Sequence, residues 1–154
     1  SMKKCLHGLL IAIISTIYLV SIANAASIDS LKNNGNQYML YYSNDTMDIY
    51  IDFTTIKTVR IQNPYFMVNA TEYSINYKQN KIYKNENSYF FNQNKRLINW
   101  RPNAITVYNL NGSIDHNRMS IDDIKRDLTI PSAINSPSYI VATKLFQRQF
   151  GKTF

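Results

Sequence analysis

The feature that most constrains this chain is an N-terminal apolar run followed by a long stretch without cysteine. Lys3 and Lys4 precede mostly apolar residues from 9 to 22, and Ala23-Asn24-Ala25 supplies the small residues that signal peptidase accepts. We therefore expect residues 1–25 to be a signal peptide, with Ser1 a cloning remnant. The alternative is an uncleaved membrane anchor, because the uncharged stretch is close to the length that spans a bilayer.

The single cysteine, Cys5, lies before the apolar run, so the exported part has none. A domain without disulfides in an oxidising compartment depends on a hydrophobic core for its stability. Thiol catalysis and cysteine-ligated metals are excluded for the same reason. We expect residues 26–36, which are polar, to be a flexible leader and residues 37–154 to be a single secreted domain. The location would be secreted, periplasmic or on the cell surface.

Alternating apolar and polar residues predict a hairpin at the start of this domain. Met47, Ile49, Ile51 and Phe53 follow the period of two that is typical of a half-buried strand. A preceding strand at 37–43 is joined to it by residues with turn chemistry.

Further strands follow along the chain. We expect a short strand near 59–62, ended by Asn63-Pro64, and a longer one at 65–77 with a bulge or strong twist at Thr71-Glu72, where the apolar residues change parity. Residues 79–87 are polar and predict a loop. Additional strands are expected at 88–92, 96–100, 104–110 and 113–120, the last two joined by Asn111-Gly112, which favours a type I′ turn.

The C-terminal part predicts helices. Residues 121–128 have the spacing of a short helix. A longer helix begins at Ser136 as the cap and Pro137 as the first residue, and Gly151 is a plausible end. Its apolar stripe consists of Tyr139, Ala142, Phe146 and Phe150. The fold class is therefore α+β: an antiparallel β-sheet of about five to six strands with a C-terminal amphipathic helix packed on one face.

No motif of catalysis or metal binding is found. His116 is the only histidine after the signal segment, and its neighbour Asp115 points to the opposite face of a predicted strand. Acidic residues at 122 and 123 are explained by the dipole of a short helix. Phosphate loops, nucleophile elbows and zinc-protease helices are absent. We expect no enzyme activity, no catalytic residue, no metal and no cofactor.

The remaining signal is aromatic and basic. Tyrosine favours strands and is also a good interface residue, and the net charge of +7 favours anionic partners. We expect an anionic or matrix protein, or a polysaccharide, as the partner, or a second copy in a homodimer. Export argues against nucleic acid, and no membrane contact is expected beyond the signal segment. The candidate binding residues are Tyr73, Tyr77, Tyr83, Tyr89, Trp100 and Arg101.

Three short motifs resemble the surface-adhesin E-like family of bacterial secreted domains. They are Tyr50-Ile51-Asp52 followed by Thr55-Ile56, then Val107-Tyr108 with Gly112, and Ile130-Pro131-Ser132 before the helix that carries Ala142 and Phe146. The resemblance implies an antiparallel sheet with a C-terminal helix, and adhesin members bind host matrix proteins and plasminogen. The chain departs from the family pattern because it lacks the cysteine pair that ties the helix and the lipoprotein cysteine.

The sequence leads to two hypotheses of function. The first is an exported, non-enzymatic interaction domain with adhesin-like binding of host or surface macromolecules. The alternative is a periplasmic module that binds a small ligand between the sheet and the helix. A fully packed interface between sheet and helix would argue against the second hypothesis.

Overall fold

The structure, a computed structural model, describes residues 26–120, 122 and 129–154. The expected signal peptide and, apart from Asp122, the expected short helix at 121–128 lie outside these residues. Within the described ranges, no helix has both the length and the apolar character needed to cross a bilayer.

The described chain forms one antiparallel meander with helices at both ends. The sheet follows the order β1-β2-β3-β4-β5-β6, and the short β7 pairs with β5. The antiparallel sheet and the C-terminal helix are confirmed, although strands make up most of the structure, 56%. The strands are β1 (Tyr38–Ser43), β2 (Met47–Gln62), β3 (Tyr65–Asn76), β4 (Lys81–Asn92), β5 (Leu97–Asn109), β6 (Ile114–Ser120) and β7 (Ile130–Pro131); the helices are α1 (Ile28–Asn33) and α2 (Pro137–Phe150).

Two strands are longer than the sequence indicated. The prediction of a separate strand near 59–62 is wrong, because these residues form the end of β2. The register of β2 with β3 shifts between Asp52 and Lys57. The strand expected at 104–110 likewise continues β5, whose register with β4 shifts between Glu86 and Asn87. Extra residues accommodated inside a paired strand bend it without ending it.

Of the bulge or strong twist expected at Thr71-Glu72, the bulge is wrong. β3 pairs with β4 from end to end without a register shift. The apolar residues change parity because the two sides of β3 are buried by different partners. Val68 belongs to the core cluster that includes α2, whereas Tyr73 and Ile75 belong to the cluster that includes α1. A regular strand can therefore bury opposite faces at its two ends. β3 packs against the α2 cluster near its start and against the α1 cluster near its end.

The polar segment at 79–87 was expected to be a loop, and this is wrong because most of it lies in β4. β4 is hydrogen-bonded to β3 on one side and to β5 on the other. Ile82 is fully buried, and the buried amide of Asn87 is hydrogen-bonded within the core. Tertiary pairing thus outweighs the low strand propensity of asparagine and lysine.

The hairpin at Asn111-Gly112 is confirmed, but its turn is not of type I′. Gly112 alone of the two residues has a positive φ, 89°. The Gly112 N–H donates to the Asn109 carbonyl, and the Asn109 N–H donates to the Ser113 carbonyl. This pattern is a type I turn followed by a glycine bulge.

The segment expected to be a flexible leader contributes to the fold. Residues 28–33 form α1, and a reciprocal capping box joins Ser27 and Ser30. Leu31 is only 1% exposed, and it packs in the cluster with Tyr50 and Ile75. α1 therefore covers part of the sheet surface opposite α2.

Helix α2 begins and ends where the sequence indicates. The Ser136 hydroxyl accepts a hydrogen bond from the Tyr139 N–H, Pro137 lies in the first turn, and Gly151 takes the left-handed conformation with φ 66°. Ala142 and Phe146 are fully buried, and Tyr139 and Phe150 pack against the same core.

The centre of this core is an aromatic cluster. The Phe146 ring lies 5.2 Å from Phe66, 5.1 Å from Phe91, 4.8 Å from Phe150 and 5.3 Å from Phe154, measured between ring centroids. Edge-to-face and tilted contacts of this kind add to the free energy gained from burying the rings.

We expect Phe146→Ala to lower the free energy of unfolding by about 3–5 kcal/mol, because it removes a fully buried ring and leaves a cavity. Gln147→Ala, at the next, exposed position, should change it by less than about 0.5 kcal/mol. Urea denaturation followed by circular dichroism measures both. Equal effects of the two substitutions would contradict this description of the core.

Candidate functional site

A cavity of about 260 Å³ lies between the sheet and the first turn of α2. Four strands, β2 to β5, and the helix all contribute to it, so it is part of the sheet–helix interface. The residues that line it are Met47, Ile49, Glu72, Ser74, Asn85, Tyr89, Trp100, Pro137 and Ser138.

The cavity arises from the uneven distribution of large side chains along α2. The end of the helix carries Phe146 and Phe150, which fill the core beside Phe66. The first turn instead presents Pro137 and Ser138, which are small. The interface is therefore dry and closed at one end of the helix and open at the other.

Glu72 is the charged group of this cavity. It is 9% exposed, and strand pairing places it between Ile51 of β2 and Asn85 of β4. Its Oε2 accepts hydrogen bonds from Asn87 Nδ2 at 2.7 Å and from the Tyr89 hydroxyl at 3.3 Å. Both donors come from β4, which fixes the orientation of the carboxylate.

Burial raises the pKa of the Glu72 carboxyl from 4.5 to about 7, although the hydrogen bonds from Tyr89 and Asn87 favour the ionised form and lower it. Burial and the charge of Glu72 in turn raise the pKa of the Tyr89 hydroxyl well above its usual range. Tyr89 thus remains a proton donor at any physiological pH. Glu72 changes its charge near neutrality.

Asn87 reports on the same charge. It is 2% exposed, and its Nδ2 donates to Glu72 and to Tyr89, whereas its Oδ1 has no partner in the described structure. A buried carbonyl without a partner costs about 1–3 kcal/mol. An ionised Glu72 accepts hydrogen bonds only, so it holds the amide with Nδ2 towards itself. A protonated Glu72 would donate to Oδ1 after rotation of the amide.

The rest of the lining divides into an apolar part and a polar part. Met47, Ile49 and Trp100 supply the apolar surface, and Ser74 and Asn85 add groups that form hydrogen bonds. Binding sites for small molecules generally combine a mostly apolar wall with a few polar groups. The arrangement can therefore hold a small molecule that places one polar group at Glu72.

The structure does not gather the six predicted binding residues into one surface. Tyr73 and Tyr89 are buried, and the Tyr73 ring packs against Tyr38 with 5.4 Å between centroids. By strand register, Tyr83, Tyr89 and Trp100 share the side of the sheet that faces α2, whereas Tyr73 lies on the other side. These residues therefore do not form one continuous exposed surface, and their role in binding stays a prediction.

The other predicted residues lie apart from the cavity. The Tyr77 hydroxyl donates to Asp48, with the Lys32 ammonium 5.5 Å from the Tyr77 ring centroid. The Arg101 guanidinium lies 5.6 Å from the Phe90 ring centroid and donates to Asn103. Trp100 and Tyr89 are the predicted residues that the structure brings into the candidate site.

Other cavities are also lined by the described residues. One, of about 220 Å³, is lined by Thr55, Asn69, Ala70, Thr71, Glu86, Asn87 and Asn103. Its carboxylate, Glu86, is neutralised by Arg118 with 2.7 Å between Arg118 Nε and Glu86 Oε2. Another, about 300 Å³, lies beside α2 near the C-terminus and contains no acidic group. The described residues include no cluster of three histidine, cysteine, aspartate or glutamate side chains that would hold a metal ion.

Comparison with known proteins adds no assignment. No family model matches the chain, and neither the curated proteins nor the solved structures include a significant match. The resemblance to adhesin-like domains therefore stays a prediction from the short motifs.

Sequence reasoning did not identify Glu72 as a site residue. Its signal was present, because Glu72 is the only acidic residue in the otherwise apolar and neutral segment 65–77. A lone carboxylate in such a strand needs either solvent or a partner. Its partners are Asn87, the last residue of the expected loop, and Tyr89, in the strand expected after it. The sequence did not indicate that these two residues lie beside Glu72.

We expect Glu72 to make the stability of the domain fall as the pH rises from 5 to 8. The folded pKa, about 7, lies above the unfolded value of 4.5, so the folded state holds the proton more tightly. The contribution of Glu72 is fully favourable below the unfolded pKa and is lost as the pH rises through the folded pKa. The loss between pH 5 and 8 is roughly 2–3 kcal/mol.

Glu72→Gln removes this titration and tests it. The variant should gain stability relative to the wild type as the pH rises, measured by urea denaturation at each pH. Glu86→Gln changes the other glutamate of the chain, which pairs with Arg118, and should keep the fall in stability that Glu72 causes. A pH-independent difference for Glu72→Gln would contradict the burial of an ionisable carboxyl.

Proposed function

We propose that this exported α+β domain is a non-enzymatic binding module that takes a small ligand into the cavity between the sheet and the first turn of α2. The observation that carries the proposal is the 260 Å³ cavity with the buried Glu72 carboxylate in its wall. A packed interface would exclude a ligand, but the helix leaves this end of the sheet uncovered. The proposal corresponds to the alternative hypothesis from the sequence.

The size of the cavity limits the ligand. Sites for drug-sized molecules usually measure about 300–1,000 Å³, and this cavity is slightly smaller. A ligand of one ring or a short chain with one polar group therefore fits the space best. Larger molecules would require α2 to move away from the sheet.

The single tryptophan of the chain provides a direct test, because Trp100 lines the cavity. A fragment library of compounds with one ring or a short chain can be screened by Trp100 fluorescence. We expect some of these compounds to change the fluorescence up to a limit that is reached as the compound concentration rises. Ser74→Leu places a larger side chain in the cavity. It should lower the affinity for these compounds at least about tenfold, because the added side chain occupies their space.

Ser43→Leu is the matched control, since it adds the same side chain on the exposed edge strand β1, away from the cavity. This variant should bind the same compounds as the wild type does. The proposal fails if no compound produces a saturable change, or if Ser74→Leu binds them with unchanged affinity.

A second candidate function, adhesin-like binding of an anionic macromolecule, is favoured by one exposed end of the sheet. Val59, Ile61, Tyr65 and Leu97 are exposed there, and the Arg60 guanidinium lies 5.2 Å from the Tyr65 ring centroid. Exposed apolar groups beside positive charge are typical of interaction surfaces.

Immobilised heparin, as an acidic glycan, tests this candidate. We expect retention at low salt that falls as salt rises, and a clear reduction in retention for Arg60→Ala combined with Tyr65→Ala. Absence of retention at low salt would count against an acidic glycan as the partner and would leave the cavity unaffected.

A further inference from the structure

We propose that the ligand of this cavity is a small primary amine, bound as its ammonium ion by the Glu72 carboxylate. This inference rests on the proposed function and adds the chemical class of the ligand. It depends on the charge of the site, on the apolar surface around it and on the groups that face Glu72.

The first argument is that the Glu72 charge lacks a positive partner. In the described part of the chain, the side-chain hydrogen bonds to this carboxylate come from the neutral groups of Asn87 and Tyr89, both to Oε2, and Glu72 forms no ion pair. Buried carboxylates are usually paired with a cation or protonated. A cation from outside, placed in the cavity beside Glu72, would supply the missing partner.

The second argument is the aromatic surface beside the carboxylate. Tyr89 and Trp100 line the same cavity as Glu72. The faces of such rings attract an ammonium ion, and tryptophan does so most strongly. Met47 and Ile49 complete an apolar wall for the carbon skeleton of the ligand. An amine with a short apolar body therefore matches both halves of the cavity.

The third argument excludes the other charge types. An anion would face the Glu72 carboxylate, and a neutral ligand would leave that carboxylate without a partner. Among the described residues that line the cavity, no other group offers a competing charge: β2 supplies Met47 and Ile49, β5 supplies Trp100, and α2 supplies Pro137, which has no N–H, and Ser138. β3 and β4 add Ser74, Asn85 and Tyr89, of which only Tyr89 titrates, at high pH.

Proton linkage follows from the same geometry. Burial raises the pKa of Glu72 to about 7, so the free site is mostly ionised at pH 8 and mostly protonated at pH 6. An ammonium ion binds the ionised form and displaces the proton. The affinity should therefore weaken about tenfold for each pH unit below 7 and level off above pH 8.

The experiment compares three probes of one shape, benzylammonium, benzyl alcohol and benzoate, by Trp100 fluorescence with the full chain at pH 8. We expect benzylammonium to bind at least about tenfold more tightly than benzyl alcohol, and benzoate to bind most weakly. Glu72→Gln should remove the preference for the amine, whereas Glu86→Gln, the matched control, should keep it. Circular dichroism verifies that each variant is folded.

A second variant keeps the test decisive if Glu72→Gln fails to fold. Tyr89→Phe removes a hydrogen bond that lowers the pKa of Glu72, so that pKa rises. The pH at which benzylammonium binding is lost should then move upward from that of the wild type. An unchanged pH profile would overturn the assignment of Glu72 as the group that binds the amine.

The outcomes separate the two proposals. If benzyl alcohol or benzoate binds as tightly as benzylammonium, or if Glu72→Gln keeps the preference, the amine assignment is overturned while the cavity stands as a binding site. If benzylammonium does not bind although other small compounds do, the amine assignment is likewise overturned. If no compound binds in the cavity, both proposals fail.

Discussion

The packing of α2 on the sheet is the constraint from which the other features of this domain follow. Phe146 lies at the centre of a cluster with Phe66, Phe91, Phe150 and Phe154, all near the C-terminal end of the helix. The described domain contains no cysteine, so packing contacts of this kind hold the helix on the sheet without a disulfide. The helix is therefore held firmly at one end, whereas its first turn faces the sheet with the small side chains of Pro137 and Ser138.

This uneven contact leaves the buried Glu72 carboxylate beside a cavity that has space for a small molecule. The ionised form of Glu72 is costly because of burial, and the donors on β4 offset only part of that cost. Natural proteins tend to keep such a group when it has a role. We propose that this role is recognition of a positive ligand. The positive charge would offset the free-energy cost of burying the ionised Glu72 carboxylate.

The sequence predicts the elements that local chemistry determines. The cap at Ser136, the first turn at Pro137 and the end at Gly151 specify α2 almost to the residue, because each depends on a few neighbouring atoms. The polar first part of β4, residues 81–87, and the full length of β2 were not predicted, since pairing across the sheet determines them. The candidate site likewise depends on pairing across the sheet. Glu72 and Asn87 are distant in sequence, and only the sheet brings them together.

The most direct test of the central claim is the titration of the Glu72 carboxyl itself. Labelling the chain with [13C]glutamate gives two carboxyl signals, from Glu72 and Glu86, and Glu86→Gln assigns them. We expect the carboxyl chemical shift of Glu72 to titrate with a midpoint near pH 7. When benzylammonium is present, the carboxyl should stay ionised to a lower pH, so the midpoint should move down. A midpoint near 4.5 without benzylammonium, as in a solvent-exposed glutamate, would contradict the central claim.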